Sequence, residues 1–409
     1  MSEGELNEMF LRKANQYFNE IVEFRRHIHK NPELSFREIE TSKYVADKLK
    51  EMGIDPEFCC LQPDSFAANG SPKKTGVIAS IGSGEKCIAL RADIDALPIQ
   101  EETNLEFQSS RPGVMHACGH DFHTAMLLGA AKILKSIEKD LPGKILLIFQ
   151  PAEELIPGGA SLILSEGVFE RFKPVAIFGQ HIFPHAETGK ICITEKPSMA
   201  SGDELYWTLA GAGSHAAQPH AGRDPIAAAA AIVNAIPSLI VKNANPLEPI
   251  VISVTSIQAG SVTNIFPDEA IMLGTMRTFN QELRERFYDL LPAFSSQIAA
   301  IYGVECKLNI KKGFPAVIND AELATLAIHC VKSISGAQYE PFEPKMWAED
   351  YGYYTQRIPG LFWYLGVAPA GEELPPIHNS KLQPDENAMK YGVAALCAVA
   401  HKALTSLLG

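Results

Sequence analysis

Leu6, Phe10, Ala14, Tyr17, Ile21, Phe24 and Ile28 recur every three or four residues, the spacing of one helix face, and predict a long first helix that stops at Asn31-Pro32. Arg25, Arg26, His27, His29 and Lys30 crowd its end, where cations suit the negative pole of the helix dipole, so they read as a solvated cap and not a ligand cluster. Ser35 and Glu38 have capping-box spacing for a second helix, which runs to Met52 and ends at Gly53. Two short apolar runs follow, Val77 to Ile81 and Cys87 to Leu90; no helix follows the Gly82-Ser83-Gly84 between them, which predicts a hairpin and not a phosphate cradle. A helix carrying Met126, Leu127, Ala130, Ile133, Leu134 and Ile137 closes at Pro142-Gly143. Buried strands are expected from Ile145 to Phe149, running into Gln150-Pro151-Ala152-Glu153-Glu154, and from Val175 to Phe178, running into Gly179-Gln180-His181.

From about Ser198 the rhythm changes. Strands are expected at Leu205 to Leu209, Ile250 to Ile257, Ala270 to Met276 and Val304 to Ile310, with helices from Asp224 to Val241 and Glu282 to Ile301. That order is β-α-β-β-α-β, complete in about 115 residues, a normal domain size. A helix (Ala321 to Ile334), a strand (Leu361 to Leu365) and a helix (Asp385 to Leu408) then resume the first domain, with His378-Asn379 on a connecting loop. The expected class is α/β: a mixed-sheet domain made of residues 1–197 and 314–409, interrupted by a ferredoxin-like (βαββαβ) insertion at residues 198–313. A chain of 409 residues exceeds the size at which one core stops growing, which agrees with two domains.

The net charge of −12 argues against a nucleic-acid surface, so an anionic ligand would have to be held by local cations. No apolar run approaches the roughly 20 residues that span a bilayer, and the acidic start Met1-Ser2-Glu3-Gly4-Glu5 has no signal-peptide character. The eight cysteines are scattered, with only Cys59 and Cys60 adjacent. The expectation is a cytoplasmic, reduced protein without membrane attachment.

The chemistry concentrates in Met115-His116-Ala117-Cys118-Gly119-His120-Asp121-Phe122-His123, where three imidazoles, a thiol and a carboxylate are too many polar groups to serve packing. Cys118 and His120 can share one metal or two adjacent ones, and His123, one helical turn beyond, is a third candidate. The plainer alternative is a buried free cysteine beside histidines that cap the helix. In open α/β sheets ligands bind beyond the carboxyl ends of strands, and Asp93, Glu153-Glu154 and His181 each follow an apolar strand. Cys118, His120, Glu154, His181 and His378 form the expected ligand set, and their thiol, imidazole and carboxylate groups suit zinc or another borderline transition metal better than calcium or magnesium. Five protein ligands exceed what one tetrahedral ion needs, so two metals are expected. Asp93 would orient a ligand histidine from behind, and Glu153 would serve as general base. In the insertion, His215 could stabilise an oxyanion and Arg277 could grip a carboxylate, with Asn264 nearby; spacing alone supports these roles weakly, and a surface charge is the plainer reading of Arg277.

At these residues the sequence resembles the aminoacylase and carboxypeptidase family of two-metal amidohydrolases, and within it the branch of hippurate hydrolases, N-acetyl-diaminopimelate deacetylases and plant auxin-conjugate hydrolases. The likeness runs from Phe24-Arg25-Arg26-His27 and Asn31 to Ser35 through Leu90 to Pro98, Met115 to His123, Gln150 to Glu154, Ser214 to Asp224, Asn264 to Pro267, Met276-Arg277-Thr278 and Ile377-His378-Asn379. It covers nearly the whole chain. The resemblance implies a two-metal peptidase-like catalytic domain with two divalent ions per subunit, zinc or manganese before nickel or cobalt. It implies ligands at Cys118, His120, Glu154, His181 and His378, and a base at Glu153. It further implies a homodimer formed through the inserted lid, with His215 able to reach the partner subunit's metal site, and Asn264 and Arg277 on the carboxylate of a small N-acyl amino acid. Elsewhere in that family a strand ends in His-x-Asp and its histidine binds metal; here Arg91-Ala92-Asp93 stands there, as in this branch. The carboxyl terminus, Ser406-Leu407-Leu408-Gly409, lacks the retention signal of the plant enzymes.

The expected activity is metal-dependent hydrolysis of the amide of N-acetyl, N-benzoyl or similar amino acids. Carboxypeptidase or dipeptidase action on the same scaffold is the alternative substrate reading. A thiol-nucleophile mechanism at Cys118, activated by His120 or His123, would leave Glu154, His181 and His378 idle. A non-catalytic binder of amino-acid conjugates would have no use for Glu153.

Overall fold

The computed structural model of the chain describes residues 3–66 and 73–406. Met1-Ser2 and the terminal Leu407-Leu408-Gly409 read above lie outside the described residues. The first apolar period is carried by two helices, α1 (Glu3–Gln16) and α2 (Phe18–Lys30). Tyr17, at φ −96° and ψ 9°, breaks the helical geometry between them. The Tyr17 N–H still reaches Lys13 O, and Ile21 N–H reaches Tyr17 O, both at 3.0 Å, so Phe10, Ala14, Ile21, Phe24 and Ile28 all remain buried. Helix α3 (Ile39–Glu51) starts without the expected capping box. Ser35 Oγ donates to Asp95 at 2.7 Å, and buried Glu38 accepts from Ala152 N–H, so both side chains are spent on long-range contacts.

In chain order there follow β1 (Pro56–Leu61), β2 (Lys74–Ile81), β3 (Cys87–Asp93), α4 (His120–Ser136), β4 (Lys144–Gln150), β5 (Ile177–Glu187) and β6 (Lys190–Ile193). The next elements are β7 (Asp203–Ala210), α5 (Pro225–Asn243), β8 (Ile250–Ala259), β9 (Glu269–Thr278), α6 (Gln281–Ile301) and β10 (Glu305–Lys311). The chain closes with α7 (Ala321–Lys332), β11 (Gln338–Pro341), β12 (Gly360–Ala368) and α8 (Ala388–Ser406).

Eight strands form a mixed sheet in the order β1-β2-β4-β3-β5-β12-β6-β11. β3 runs parallel to β4 and β5, and β5 parallel to β12, whereas β2 is antiparallel to β4. The expected hairpin between β2 and β3 is therefore absent, because β4 lies between them. The reason is burial: every residue of β4 from Ile145 to Phe149 is inaccessible, and a strand covered on both faces needs a bonded neighbour on each edge. The Gly82 turn accommodates this, since a Cβ there would lie 2.3 Å from Gly143 O. Helix α4 buries Phe122, Met126, Leu127, Ile133 and Leu134, and α8 packs beside it with Met389, Val393, Leu396 and Val399 in the same core.

The chain divides into two compact units, Met1–Ser198 with Ile318–Pro344 and Asp350–Gly409, and Met199–Val317 with Lys345–Glu349. The second has a four-stranded antiparallel sheet, β8-β9-β7-β10, the arrangement of a split βαβ sandwich. Leu205, Trp207 and Leu209 alternate inward from β7 and meet Ala228, Ile232 and Ile236 of α5 and Phe287 and Leu291 of α6. Contrary to the expectation that no apolar run approaches membrane-spanning length, α5 is long and apolar enough by length and composition. Its alanines hid this: Ala228, Ala229, Ile232, Ile236 and Leu239 form a buried stripe, while Ile226 and Val241 are exposed.

Candidate metal centre

Asp93 is the last residue of β3, and the following loop leads through Cys118 into α4, which begins at His120. Gly119 between them takes φ +88°, and a Cβ there would sit 2.3 Å from Ile182 Cδ1, so glycine is what lets the thiol and the imidazole approach β5. Glu153 and Glu154 lie just past β4. His181 sits inside β5, paired with Tyr364 of β12, not beyond the strand's end as expected. Among polar residues this strand is longer than its apolar run, because ladder bonds to β12 carry it on to Glu187. His378 stands on the loop after β12 at φ +64°, tied by its N–H to Ala117 O at 2.7 Å.

Five side chains from these segments converge. Cys118 Sγ lies 3.3 Å from His181 Nε2 and 3.3 Å from His378 Nε2. His378 Nε2 lies 3.1 Å from Glu154 Oε1, and His120 Nε2 is 4.0 Å from both Glu154 Oε1 and Glu153 Oε2. Ligand atoms of Cys118, His120 and His181 lie within 4.8 Å of one another, and so do those of Cys118, Glu154 and His378. The thiol is common to both trios. Cys118, His120 and His181 are buried, whereas the His378 side chain is half exposed and forms the open side.

The electrostatics match a cation site. Burial, then the charges of Glu154, Glu153 and Asp93, push the Cys118 thiol well above its usual range. A thiol so raised is the opposite of an activated nucleophile, which argues against a metal-free cysteine mechanism. Burial works against a charged His120, yet Asp93, Asp95 and Glu154 outweigh it and raise it to about 10. His181 is held well below its ordinary value by burial and by neighbouring His123. The buried His120 Nε2 has no hydrogen-bond partner among the described residues and lies 3.8 to 4.0 Å from carboxylate oxygens of Asp93, Glu153 and Glu154. An orphaned imidazole nitrogen beside a thiol, two further imidazoles and carboxylates fits a borderline divalent metal.

Asp93 lies behind the site: its oxygens receive His123 Nδ1 at 2.5 Å and Arg91 Nη1 at 2.6 Å, and Oδ2 stands 3.8 Å from His120 Nε2. His120 Nδ1 lies 2.9 Å from the Asp95 carbonyl and 3.1 Å from its carboxylate, so Asp95, which the sequence reading did not single out, orients that ligand candidate. The same carboxylate receives Ser35 Oγ and Glu154 N–H. Its signal was present in Asp93-Ile94-Asp95, two residues apart on one side of an extended chain. His123, the third candidate ligand, has both nitrogens engaged, by Asp93 and by the Ile182 N–H.

The basic end of α2 is likewise not a solvated cap. Arg25 is 2% exposed and bridges Asp121 at 2.8 Å and Glu386 at 3.0 Å; buried His29 joins Asp121 to Glu101. These bonds clamp Asp121, next to His120, in the first turn of α4. Only Arg26, His27 and Lys30 keep surface positions.

In the second unit, His215 pairs with Ile265 across a two-residue ladder and Ala216 N–H reaches Asn264 O at 2.9 Å, so His215 and Asn264 lie close together on two paired segments. His215 is exposed, with Nδ1 accepting from Ala217 N–H. Arg277, near the end of β9, is half-buried, and burial lowers its pKa; it makes no ion pair among the described residues. Its guanidinium lies against Gly202, where a Cβ would come within 2.6 Å of Nη1.

Residues 89–402 match the family model described as peptidase family M20/M25/M40. Thermostable carboxypeptidase 2 of Saccharolobus solfataricus is 37% identical over 387 residues, covering 93% of this chain and 95% of its own. N-acetylcysteine deacetylase of Bacillus subtilis is 39% identical over 353 residues, covering 86% and 89%. Among solved structures, a Bacillus subtilis protein described as a dinuclear metal binding peptidase from the M20 family has a TM-score of 0.80 at 36% identity, covering 96% of this chain and 99% of its own.

Proposed function

Since the chain belongs to peptidase family M20/M25/M40, we propose that it is a hydrolase of linear amides that uses two divalent metal ions to cleave N-acyl amino acids. One ion would be held by Cys118, His120 and His181 and the other by Cys118, Glu154 and His378, with zinc or manganese preferred over nickel or cobalt. When bound, the ions supply Lewis acidity to the amide carbonyl and lower the pKa of water. Glu153 takes the proton of the attacking water and delivers it to the departing amide nitrogen, so that a carboxylic acid and a free amino acid leave. The observation that carries this reading is Glu153 itself: a 6%-exposed carboxylate 4.0 Å from His120 Nε2 that neither Cys118 trio requires, although it is also close enough to His120 and Glu154 to share an ion with them.

The finer assignments belong to the same proposal. His215 stabilises the oxyanion of the tetrahedral intermediate, and Asn264 and Arg277 bind the substrate's carboxylate; a half-buried arginine that makes no ion pair among the described residues supports that role. The inserted unit is the dimerisation surface. A panel of N-acetyl, N-benzoyl and indole-acetyl amino acids and of dipeptides, assayed with manganese and with zinc, tests the reading. Free amino acid is expected from the N-acyl compounds, with turnover abolished by chelation and restored by the metal. Hydrolysis that survives thorough chelation, or that is confined to peptides, contradicts it.

A further inference from the structure

We propose that His123 is a positioning residue that aims His181 at the metal centre, and that Asp93, Arg91 and Asp350 hold it in the tautomer this requires; the inference rests on the two-metal reading above. His123 Nε2 receives the Ile182 N–H at 2.9 Å. A backbone N–H only donates, so Nε2 is the bare nitrogen and Nδ1 carries the hydrogen that goes to Asp93 Oδ1 at 2.5 Å. Asp93, His120 and His123 are close enough together to invite an ion. Taking one at His123 Nε2 would strand the Ile182 N–H inside the core, where an unmet donor is costly.

Ile182 is the link to His181. Its carbonyl accepts from His181 Nδ1 at 2.7 Å, which places the hydrogen of that ring on Nδ1 and turns a bare Nε2 toward Cys118 Sγ, 3.3 Å away. Ile182 is thus gripped on both sides of its Cα, by His123 at the N–H and by His181 at the carbonyl. Behind His123 the chain of bonds continues without a gap. Arg91 Nη1 reaches Asp93 Oδ2 at 2.6 Å, and Arg91 Nη2 reaches Asp350 Oδ1 at 2.9 Å. Gln150 joins Arg91 and Asp350, receiving Nε at 3.0 Å and donating to both oxygens at 2.8 Å. Each of these side chains is buried, so none can turn without leaving a polar atom unmet. Arg91 fixes the relay through its planar fork, which reaches Asp93, Asp350 and Gln150 at once.

Two near-isosteric variants separate the two bonds of His123. His123→Asn keeps a donor at the Nδ1 position for Asp93 and loses the acceptor for Ile182; His123→Gln keeps an acceptor at the Nε2 position. Metal affinity, measured by competition with a chromophoric chelator, is expected to fall about 10- to 100-fold for one of the two ions in His123→Asn. In His123→Gln that ion stays within a few-fold of the parent, and KM is unchanged in both. Cobalt-substituted protein reports the same change in its absorption spectrum, independently of turnover. An unchanged affinity in His123→Asn, or equal losses in the two variants, overturns the relay while leaving the two-metal reading intact. Parent protein that binds fewer than two ions overturns both. Should His123→Asn not fold, Arg91→Lys, which keeps the charge but drops the fork, must weaken the same ion; unaltered binding there overturns the relay.

Discussion

Glu153→Gln is expected to lower kcat by roughly 10²- to 10⁴-fold, the contribution of a positioned general base, with metal content unchanged. The substitution preserves shape and removes the ability to accept a proton. Glu153 is buried beside His120 and Glu154, yet the two trios that share Cys118 close without it. Loss of turnover with full metal occupancy therefore separates base from ligand, whereas Glu154→Gln is expected to release metal. The check is paired: elemental analysis of the purified variant and its rate on an N-acyl amino acid. Near-parental turnover in Glu153→Gln would remove that residue from the mechanism.

The second large effect is on stability. Arg91→Met is expected to destabilise the metal-free protein by about 3–5 kcal/mol, because breaking a buried ion pair from one side leaves charge uncompensated. Here the guanidinium serves two carboxylates, Asp93 and Asp350, both fully inaccessible. Burial pushes Asp350 above the usual carboxylate range and Arg91 opposes that push; Asp93 is held well below its range, with His120, His123 and Arg91 outweighing its burial. The sign with pH follows. An acid whose folded pKa is raised binds its proton more tightly when folded, so stability from Asp350 falls as pH rises from the ordinary carboxylate range toward neutrality. Without Arg91 that group climbs further and Asp93 loses part of its depression. The deficit should thus be larger at pH 8 than near pH 5, as measured by the denaturant midpoint at constant m-value. An equal deficit at both pH values would mean that lost packing, not lost charge, is responsible.

What the sequence made legible follows from how locally each signal is written. The density of polar groups from His116 to His123, and the apolar strands preceding Asp93, Glu153-Glu154 and His181, pointed to one crevice without any knowledge of pairing. The βαββαβ order was readable because each element of that unit carries its own period, although the sheet order β8-β9-β7-β10 then sets β7 between β9 and β10, two strands that come later in the chain. Failures came where a partner was remote. Arg25 and His29 resembled a solvated cap because Asp121 and Glu386, which bury them, lie 96 and 361 residues on from Arg25. Asp350, 259 residues from Arg91, carried no mark of its own. The hairpin expected across Gly82 failed for a related reason: nothing within residues 77–90 says that β4 will pass between. Ser35 and Glu38 have the spacing of a capping box, but Asp95 and the Ala152 N–H compete for the same side chains and win.

The central claim is that Cys118 lies between two cations, and crystals grown with manganese or zinc test it through anomalous scattering. The account predicts two peaks on either side of the Cys118 sulfur, one against His120 and His181 and the other against Glu154 and His378. A single peak, or a pair that leaves Cys118 untouched, would contradict it.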